Sequence, residues 1–142
     1  MMLPKKKSRE IAFQMLFAHD VGEGIGDDIT ALVMEQLKVT RKDVHAARDV
    51  VEMISSKMSH IDEIITKTSV DYDFERIQRA ERNILRLAIY EILYDEDIPA
   101  KVALAEAIRL CRKFSTSESV SFVNAILDAV CRKHCPGDLD DK

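Results

Sequence analysis

The chain is 142 residues long, with 46% apolar residues, 32% charged residues and a formal net charge of −4. This length and apolar fraction predict one compact domain with a substantial buried core. The sequence contains no apolar run that approaches the length of a membrane span, and its start, M-M-L-P-K-K-K-S-R, lacks the apolar region of a signal peptide. We therefore expect a soluble protein of the cytoplasm.

Apolar residues recur with a helical period through the first half of the chain. Ile11, Met15 and Ala18 share one face behind a basic start, which predicts a first helix from Lys5 to His19. Gly22, Gly24 and Gly26, at alternate positions, end this pattern, and a short second helix is predicted over residues 29–37.

Two residue pairs then have the spacing of helix caps. Thr40 is followed by Asp43, and Ser59 is followed by Asp62. A hydroxyl with a carboxylate three residues later can bind backbone N–H groups that the first helical turn leaves free. Each pair therefore predicts the start of another helix. The polar segment at 71–73 divides the chain into two halves, approximately 1–70 and 71–142.

The clearest helical pattern lies in the second half. One apolar stripe contains Ile77, Ala80, Ile84, Leu87 and Ala88. It is widened by Leu85, Ile89, Ile92 and Leu93. We expect this helix to be central and buried over most of its girth.

Two more helices complete the pattern. Pro99 suits the start of one, whose apolar stripe includes Val102, Ala105 or Ala107, Ile108 and Leu110. Ser117 or Ser119 can cap the last helix, which carries the apolar residues Phe122, Val123, Ile126, Leu127 and Val130. Strand-like alternation with turn dipeptides does not occur in the sequence, so the predicted fold class is all-α.

The sequence does not supply a nucleophile, a base and an orienting group as a set, so we expect a protein that is not an enzyme and has no cofactor. Cys111, Cys131 and Cys135 are an odd number of cysteines, which favours free thiols. Cys131, His134 and Cys135 can all bind metal. A structural zinc ion normally takes four ligands, and a second Cys or His pair is not close in the sequence, so no metal site is predicted.

Positive charge is concentrated at the N-terminus of this acidic chain. Lys5, Lys6, Lys7 and Arg9 can contact RNA phosphates, which gives affinity with little sequence preference. An ordinary solvated terminus would have the same composition. Phe122 is similarly open to two interpretations, because its ring can stack on an unpaired base or fill the apolar stripe of the last helix.

Four stretches together resemble the NusB family of bacterial transcription antitermination factors. They are K-K-K-S-R-E-I-A-F-Q-M-L-F near the start, then R-A-E-R-N-I-L-R-L-A-I-Y-E-I-L, D-I-P-A-K-V-A-L-A-E-A-I-R-L-C-R-K-F, and S-x-x-F-V-N-A-I-L-D. Residues 22–72 resemble the family only in their pattern of apolar and polar residues and carry none of these motifs. The resemblance implies a single RNA-binding domain over residues 1–142, with about seven helices in two packed helical subdomains.

The resemblance also implies an RNA-binding set. In this family the basic first helix and the start of the last helix contact single-stranded boxA RNA. The matching positions are Lys5, Lys6, Lys7, Arg9, Gln14, Glu118, Ser119, Phe122 and Asn124. Glu118 stands where the family often has Asp, so a carboxylate that can accept from a base amino group is retained.

A second implied set binds a protein partner. The family associates with NusE, which is also a protein of the small ribosomal subunit, and the matching positions are Phe17, Glu81, Arg86 and Tyr90. The spacing alone would make Glu81 part of a solvated charged face. Three positions depart from the family pattern, since Ser115 and Ala125 stand where Gly is usual and Phe17 stands where Tyr is commoner.

From this comparison we expect an adaptor that, with NusE, binds boxA of nascent ribosomal RNA and joins the elongation complex of RNA polymerase and other Nus factors. Two alternatives belong to other classes. One is an RNA-binding domain related to those of ribosomal RNA cytosine methyltransferases, and the other is a helical scaffold that self-associates and binds no RNA.

Overall fold

A computed structural model describes residues 6–22, 40–69 and 73–135. Its regular secondary structure in these ranges is helical throughout, with six α-helices and one 3-10 turn. The chain divides into two compact units, Met1–Ser56 and Lys57–Lys142. The all-α prediction is confirmed, and the helix count of the described ranges is close to the predicted seven. The predicted short helix at 29–37 lies outside the described residues.

The first unit contains helix α1, Lys6–Asp20, and helix α2, Arg41–Ser56, which pack against each other. Their buried apolar side chains include Ile11, Met15 and Leu16 on α1 and Val44, Ala47, Val51 and Ile54 on α2. Ile11 and Met15 follow the stripe predicted for α1, and Ala18 of that stripe is half-buried. Gly22 ends the turn after α1 with a φ of +97°, a left-handed conformation that side-chain-bearing residues rarely adopt.

Helix α2 begins at the predicted cap. The Asp43 N–H donates to Thr40 Oγ1 at 3.1 Å, and the Thr40 N–H donates to an Asp43 carboxylate oxygen at 3.4 Å. The two residues thus satisfy each other's free backbone donors, which confirms this prediction.

The second unit contains four helices and the 3-10 turn. They are α3, Met58–Thr68; the 3-10 turn, Phe74–Arg76; α4, Arg79–Tyr94; α5, Ala100–Phe114; and α6, Ser117–His134. Helix α4 packs against α3, α5 and α6, and residues 82–91 on it are all buried. The prediction of a central helix that is buried over most of its girth is confirmed.

Helix α3 belongs to the second unit, so the boundary at Ser56 and Lys57 precedes the polar segment at 71–73. Ile61 and Ile65 are fully buried, and α3 packs on α4 and α6. This apolar face explains why α3 associates with the later helices, although a polar segment follows it in the sequence.

Helix α5 starts directly after Pro99, as predicted, and Ala107 and Leu110 of the expected stripe are buried, whereas Ile108 is half-buried. The buried residues are Ala100, Ala103, Ala107, Leu110 and Cys111. Val102 is 42% exposed, so its prediction as a core residue is wrong. The small alanine side chains form the packed face.

Two cap predictions are also wrong. Helix α6 is capped by Thr116, whose Oγ1 accepts from the Ser119 N–H at 3.2 Å, and not by Ser117 or Ser119. Helix α3 begins at Met58 after Lys57, which makes no side-chain cap bond. Asp62, predicted to serve that start, has its carboxylate on Arg86 of α4 instead, at 2.9 Å. A buried guanidinium provides a stronger partner than an exposed backbone N–H group.

Candidate RNA and partner interfaces

The basic start of α1 is exposed where the structure describes it. Lys6 and Lys7 are exposed in the first helical turn, and Lys5 lies outside the described residues. This turn has no acidic residue, although the partial positive charge of a helix N-terminus favours acidic residues there. The helix dipole therefore does not account for the presence of these lysines.

The other two residues of α1 that are predicted to bind RNA, Arg9 and Gln14, are less accessible. Arg9 is buried and Gln14 is half-buried. The buried Glu10 lies 4.0 Å from the Lys7 ammonium group. Lys6 and Lys7 are thus the accessible cations of the set among the described residues, while a direct role for Arg9 and Gln14 remains a prediction.

The start of α6 carries the other predicted RNA-binding residues. Glu118 and Asn124 are exposed, and Phe122 is half-buried. The apolar face of this helix is provided by Val123, Leu127 and other residues that are fully or nearly fully buried. Phe122 lies beside this face and is not one of its fully buried members, so the structure leaves part of its ring accessible.

Ser119 differs from its neighbours because it is only 1% exposed. Its hydroxyl donates to Glu81 Oε2 at 2.6 Å and lies 2.7 Å from Ser115 Oγ and 3.2 Å from Thr116 Oγ1. A predicted RNA residue of α6 is therefore bonded to a predicted partner residue of α4. Sequence reasoning missed this contact, because the two residues are far apart in the chain.

Ser115 and Ala125, the two departures from glycine, are accommodated in the structure. Ser115 has a negative φ of −138°, outside the left-handed region that favours glycine, and its hydroxyl joins the Ser119 cluster. Ala125 is exposed on α6, so its methyl group is on the accessible side of the helix. Neither position requires glycine in this fold.

Arg86, a predicted partner residue, is buried in the second unit. Its Nε and Nη2 donate to the two oxygens of Asp62, each at 2.9 Å, and its Nη1 donates to Asn83 Oδ1 at 3.0 Å. Its guanidinium carbon also lies 5.5 Å from the centre of the Phe74 ring. These contacts give Arg86 a structural role, and its predicted role in partner binding is not tested by them.

Arg82 shares the Phe74 contact. Its guanidinium carbon lies 5.0 Å from the ring centre, and its Nη1 donates to the Phe74 carbonyl at 3.4 Å. Arg82 and Arg86 are therefore packed against the 3-10 turn, whereas Arg79 on the same helix is exposed. Sequence spacing gave no signal for this packing.

Tyr90 is buried and its ring stacks on Tyr94, with centroids 6.0 Å apart. Burial raises the pKa of the Tyr90 hydroxyl, and the nearby Asp95 and Glu91 charges raise it further. Lys57 Nζ lies 4.7 Å from the centre of the Tyr94 ring. The aromatic surface around Tyr90 thus consists of the half-buried Tyr94 ring, with the Lys57 ammonium group over it, beside the buried Tyr90 ring. Neither Tyr94 nor Lys57 was predicted from the sequence.

Phe17, the remaining partner residue, belongs to the first unit. It is half-buried on α1, and its ring lies 6.0 Å from the Phe13 ring in a tilted arrangement. The partner set is therefore divided between the two units, with Phe17 in the first and Glu81, Arg86 and Tyr90 in the second.

The described part of the chain holds no group of three or more metal-binding side chains. Cys111 and Cys131 are buried and Cys135 is half-buried, all as free thiols. Burial raises the pKa of the Cys111 thiol to about 11, and the Glu81 charge adds to this rise.

None of the helices in the described ranges has the length and apolar character needed to span a membrane.

These features define a helical protein with a basic start to its first helix and a last helix that begins with polar residues and carries Phe122 in its second turn. The chain belongs to the NusB family, whose sequence profile it matches over residues 6–132. It is 37% identical to the transcription antitermination protein NusB of Desulforudis audaxviator over 128 residues, which are 90% of this chain and 93% of that protein. The family consists of transcription antitermination proteins and not of enzymes, which confirms that prediction.

Two solved structures have the same fold. NusB of Thermotoga maritima superposes with a TM-score of 0.78 at 32% identity and 96% coverage of both chains. A crystal structure of the antitermination factors NusB and NusE in complex with double-stranded RNA superposes with a TM-score of 0.80 at 25% identity, covering 94% of this chain and 99% of that one. The family assignment and the fold expected from it are both confirmed.

Proposed function

We propose that this protein is an RNA-binding antitermination factor that, together with NusE, binds boxA of nascent ribosomal RNA in the cytoplasm and joins the elongation complex. The observation that carries the proposal is membership of the NusB family across residues 6–132. The similar structure of NusB with NusE and double-stranded RNA supports both an RNA and a NusE partner for this chain.

The start of α1 supplies the electrostatic part of the proposed RNA binding. Lys6 and Lys7 are exposed there, and the preceding residue in the chain is a third lysine. Release of counterions from RNA phosphates would provide affinity that depends on salt and only weakly on sequence. A local basic cluster can do this although the whole chain carries a net charge of −4.

The start of α6 supplies the proposed contacts to bases. The exposed carboxylate of Glu118 can accept from a base amino group, and the exposed Asn124 amide can both donate and accept. The accessible part of the Phe122 ring can stack on an unpaired base. These groups suit single-stranded RNA, whose base edges and faces are free.

For the partner, we propose that NusE contacts Glu81 and the aromatic surface around Tyr90, with Phe17 as a contact from the first unit. Tyr90 and Tyr94 offer a stacked aromatic pair, and aromatic residues are enriched at the centres of protein interfaces. Arg86 would act there chiefly by holding Asp62 and Asn83 in place.

An electrophoretic binding assay tests this function. The chain is titrated into a short single-stranded boxA RNA, a scrambled RNA of equal composition and a boxA duplex, each with and without purified NusE. We expect preference for single-stranded boxA and tighter binding with NusE. Binding without sequence preference or NusE response would favour the methyltransferase-type RNA-binding domain. Self-association without RNA binding would favour the scaffold.

A further inference from the structure

We infer that Glu81 is a positioning residue for RNA binding, which acts through Ser119 to fix the first turn of α6. This inference rests on the proposed function, because it assigns the α6 start to RNA. It adds a role to a residue that family resemblance places only at the protein partner.

The hydrogen bonds at Ser119 have a defined direction. A carboxylate can only accept, so the 2.6 Å contact uses the single Ser119 hydroxyl proton toward Glu81. The hydroxyls of Ser115 and Thr116, at 2.7 and 3.2 Å from the Ser119 oxygen, must then act as donors. The Glu81 carboxylate at the end of this chain of hydroxyls thus orients all of them.

The oriented hydroxyls lie at the junction that sets where α6 begins. Ser115 follows α5, and Thr116 is the cap residue whose Oγ1 accepts from the Ser119 N–H at 3.2 Å. Glu118 lies in the first turn, and Phe122 follows Ser119 by less than one turn. A change in this junction would therefore move Glu118 and Phe122, two of the three proposed base-contacting side chains.

The bond to Glu81 is also of the stronger kind. A hydroxyl that donates to a carboxylate forms a short, charge-assisted hydrogen bond. Because Ser119 is 1% exposed, truncation of the half-buried Glu81 side chain would leave the Ser119 hydroxyl at a largely buried position without this acceptor. The junction would then lose its acceptor and become locally mobile, while the buried α4 and α6 core that includes Leu127 stays packed.

A double-mutant cycle tests the inference with the full chain and boxA RNA, without NusE. The variants are Glu81→Ala, Ser119→Ala and the double substitution. We expect each single change to weaken RNA binding about five- to tenfold, as expected for the net loss of one hydrogen bond, and the double change to weaken it no further than either single change. Glu81→Gln should bind within about twofold of the parent, because its amide oxygen can still accept from Ser119.

A matched control comes from the same helix. Asp128 accepts from Arg132 at 2.8 Å in an exposed pair on α6, so Asp128→Asn removes a carboxylate without altering the junction. Its RNA affinity should equal that of the parent. Hydrogen exchange provides a second measurement, because the Ser119 amide should exchange faster in Glu81→Ala while the Leu127 amide does not.

Several outcomes would overturn the inference. They are parent-like RNA binding by Glu81→Ala, losses that multiply in the double variant, or equal acceleration of exchange at Ser119 and Leu127. If the parent itself binds no RNA, the proposed function fails and this inference fails with it. If the parent binds RNA and Glu81→Ala binds it equally well, the inference alone fails.

Discussion

Arg86 of α4 binds Asp62 of α3 through two parallel hydrogen bonds, from Nε to Oδ1 and from Nη2 to Oδ2, each 2.9 Å long. The side chains are 9% and 25% exposed, so the pair is largely shielded from water. A two-pronged contact of this kind fixes both the distance and the rotation between two helices. Arg86 therefore holds α3 against α4.

Truncation of this arginine should destabilise the fold. Arg86→Ala leaves Asp62 and Asn83 without this partner, and we expect the free energy of unfolding to fall by about 3 kcal/mol, near the lower end for buried pairs because Asp62 is partly exposed. Urea denaturation measures the change. Arg132→Ala breaks an exposed pair and should lower stability by less than about 1 kcal/mol. Similar small losses in both variants would contradict the structural role.

The N-terminal lysines should control the salt dependence of RNA binding. Changing Lys5, Lys6 and Lys7 together to Ala should weaken binding to all RNA sequences about equally. The slope of log affinity against log salt should also become shallower, by up to about 0.7 for each RNA phosphate that the variant no longer neutralises. Titrations at several salt concentrations measure this slope.

The control for that experiment removes the same charge elsewhere. Lys101, Lys113 and Lys133 are exposed on α5 and α6, and their combined change to Ala alters the net charge equally. The slope of this control should match that of the parent. Equal flattening in both triple variants would show that total charge, and not the N-terminal cluster, determines binding.

Phe122 should contribute more to RNA binding than to folding. Phe122→Ala should weaken RNA binding by about 1–3 kcal/mol through loss of base stacking. Because the ring is half-buried, its removal should lower stability by less than the about 3–5 kcal/mol of a fully buried phenylalanine. Urea denaturation and RNA titration on one preparation separate the two effects.

For Leu127, on the same helix, we expect the opposite: a loss of stability and no loss of RNA affinity. It is fully buried, so Leu127→Ala should lower stability by about 2–5 kcal/mol without changing the RNA affinity of the folded fraction. If Phe122→Ala behaves like Leu127→Ala, the ring is part of the core and the stacking assignment is wrong.

Ser115 should stabilise this chain relative to the glycine that is usual in the family. Ser115→Gly removes the 2.7 Å bond to Ser119 and increases the freedom of the unfolded chain, at a position whose φ of −138° does not need glycine. We expect a loss of about 1–2 kcal/mol in the free energy of unfolding. Ser115→Ala should show only the hydroxyl part of this loss. A gain in stability with Gly would mean that the backbone is strained there.

Stability should fall in alkaline solution because of Cys111. Its pKa of about 11 in the folded chain exceeds the ordinary value of 9.0, so unfolding releases a proton between these pH values. The stabilisation is therefore complete below pH 9 and is lost as pH rises toward 11, by up to about 1.4 kcal/mol per pH unit. Denaturation of Cys111→Ala should show a weaker pH dependence than that of the parent. Equal pH dependence in the parent and Cys111→Ala would contradict this account.

The sequence by itself determined the features that depend on neighbouring residues. The spacing of apolar residues predicted α1, α4 and the all-α class, since one helical face repeats every three to four residues. The Thr40 and Asp43 cap was predictable for the same reason, because both groups lie within one turn. The family motifs at the two ends of the chain also predicted which surfaces to consider for RNA and NusE.

Only the tertiary structure decided how the polar residues are used. Asp62 could cap its own helix or bind elsewhere, and Arg86, 24 residues away, provides the buried guanidinium that it binds. Glu81 could lie on a solvated face, yet it accepts from Ser119, 38 residues away. Sequence spacing describes only one helix at a time, whereas the partner of a charged or hydroxyl side chain depends on which helices pack together and which groups that packing removes from water.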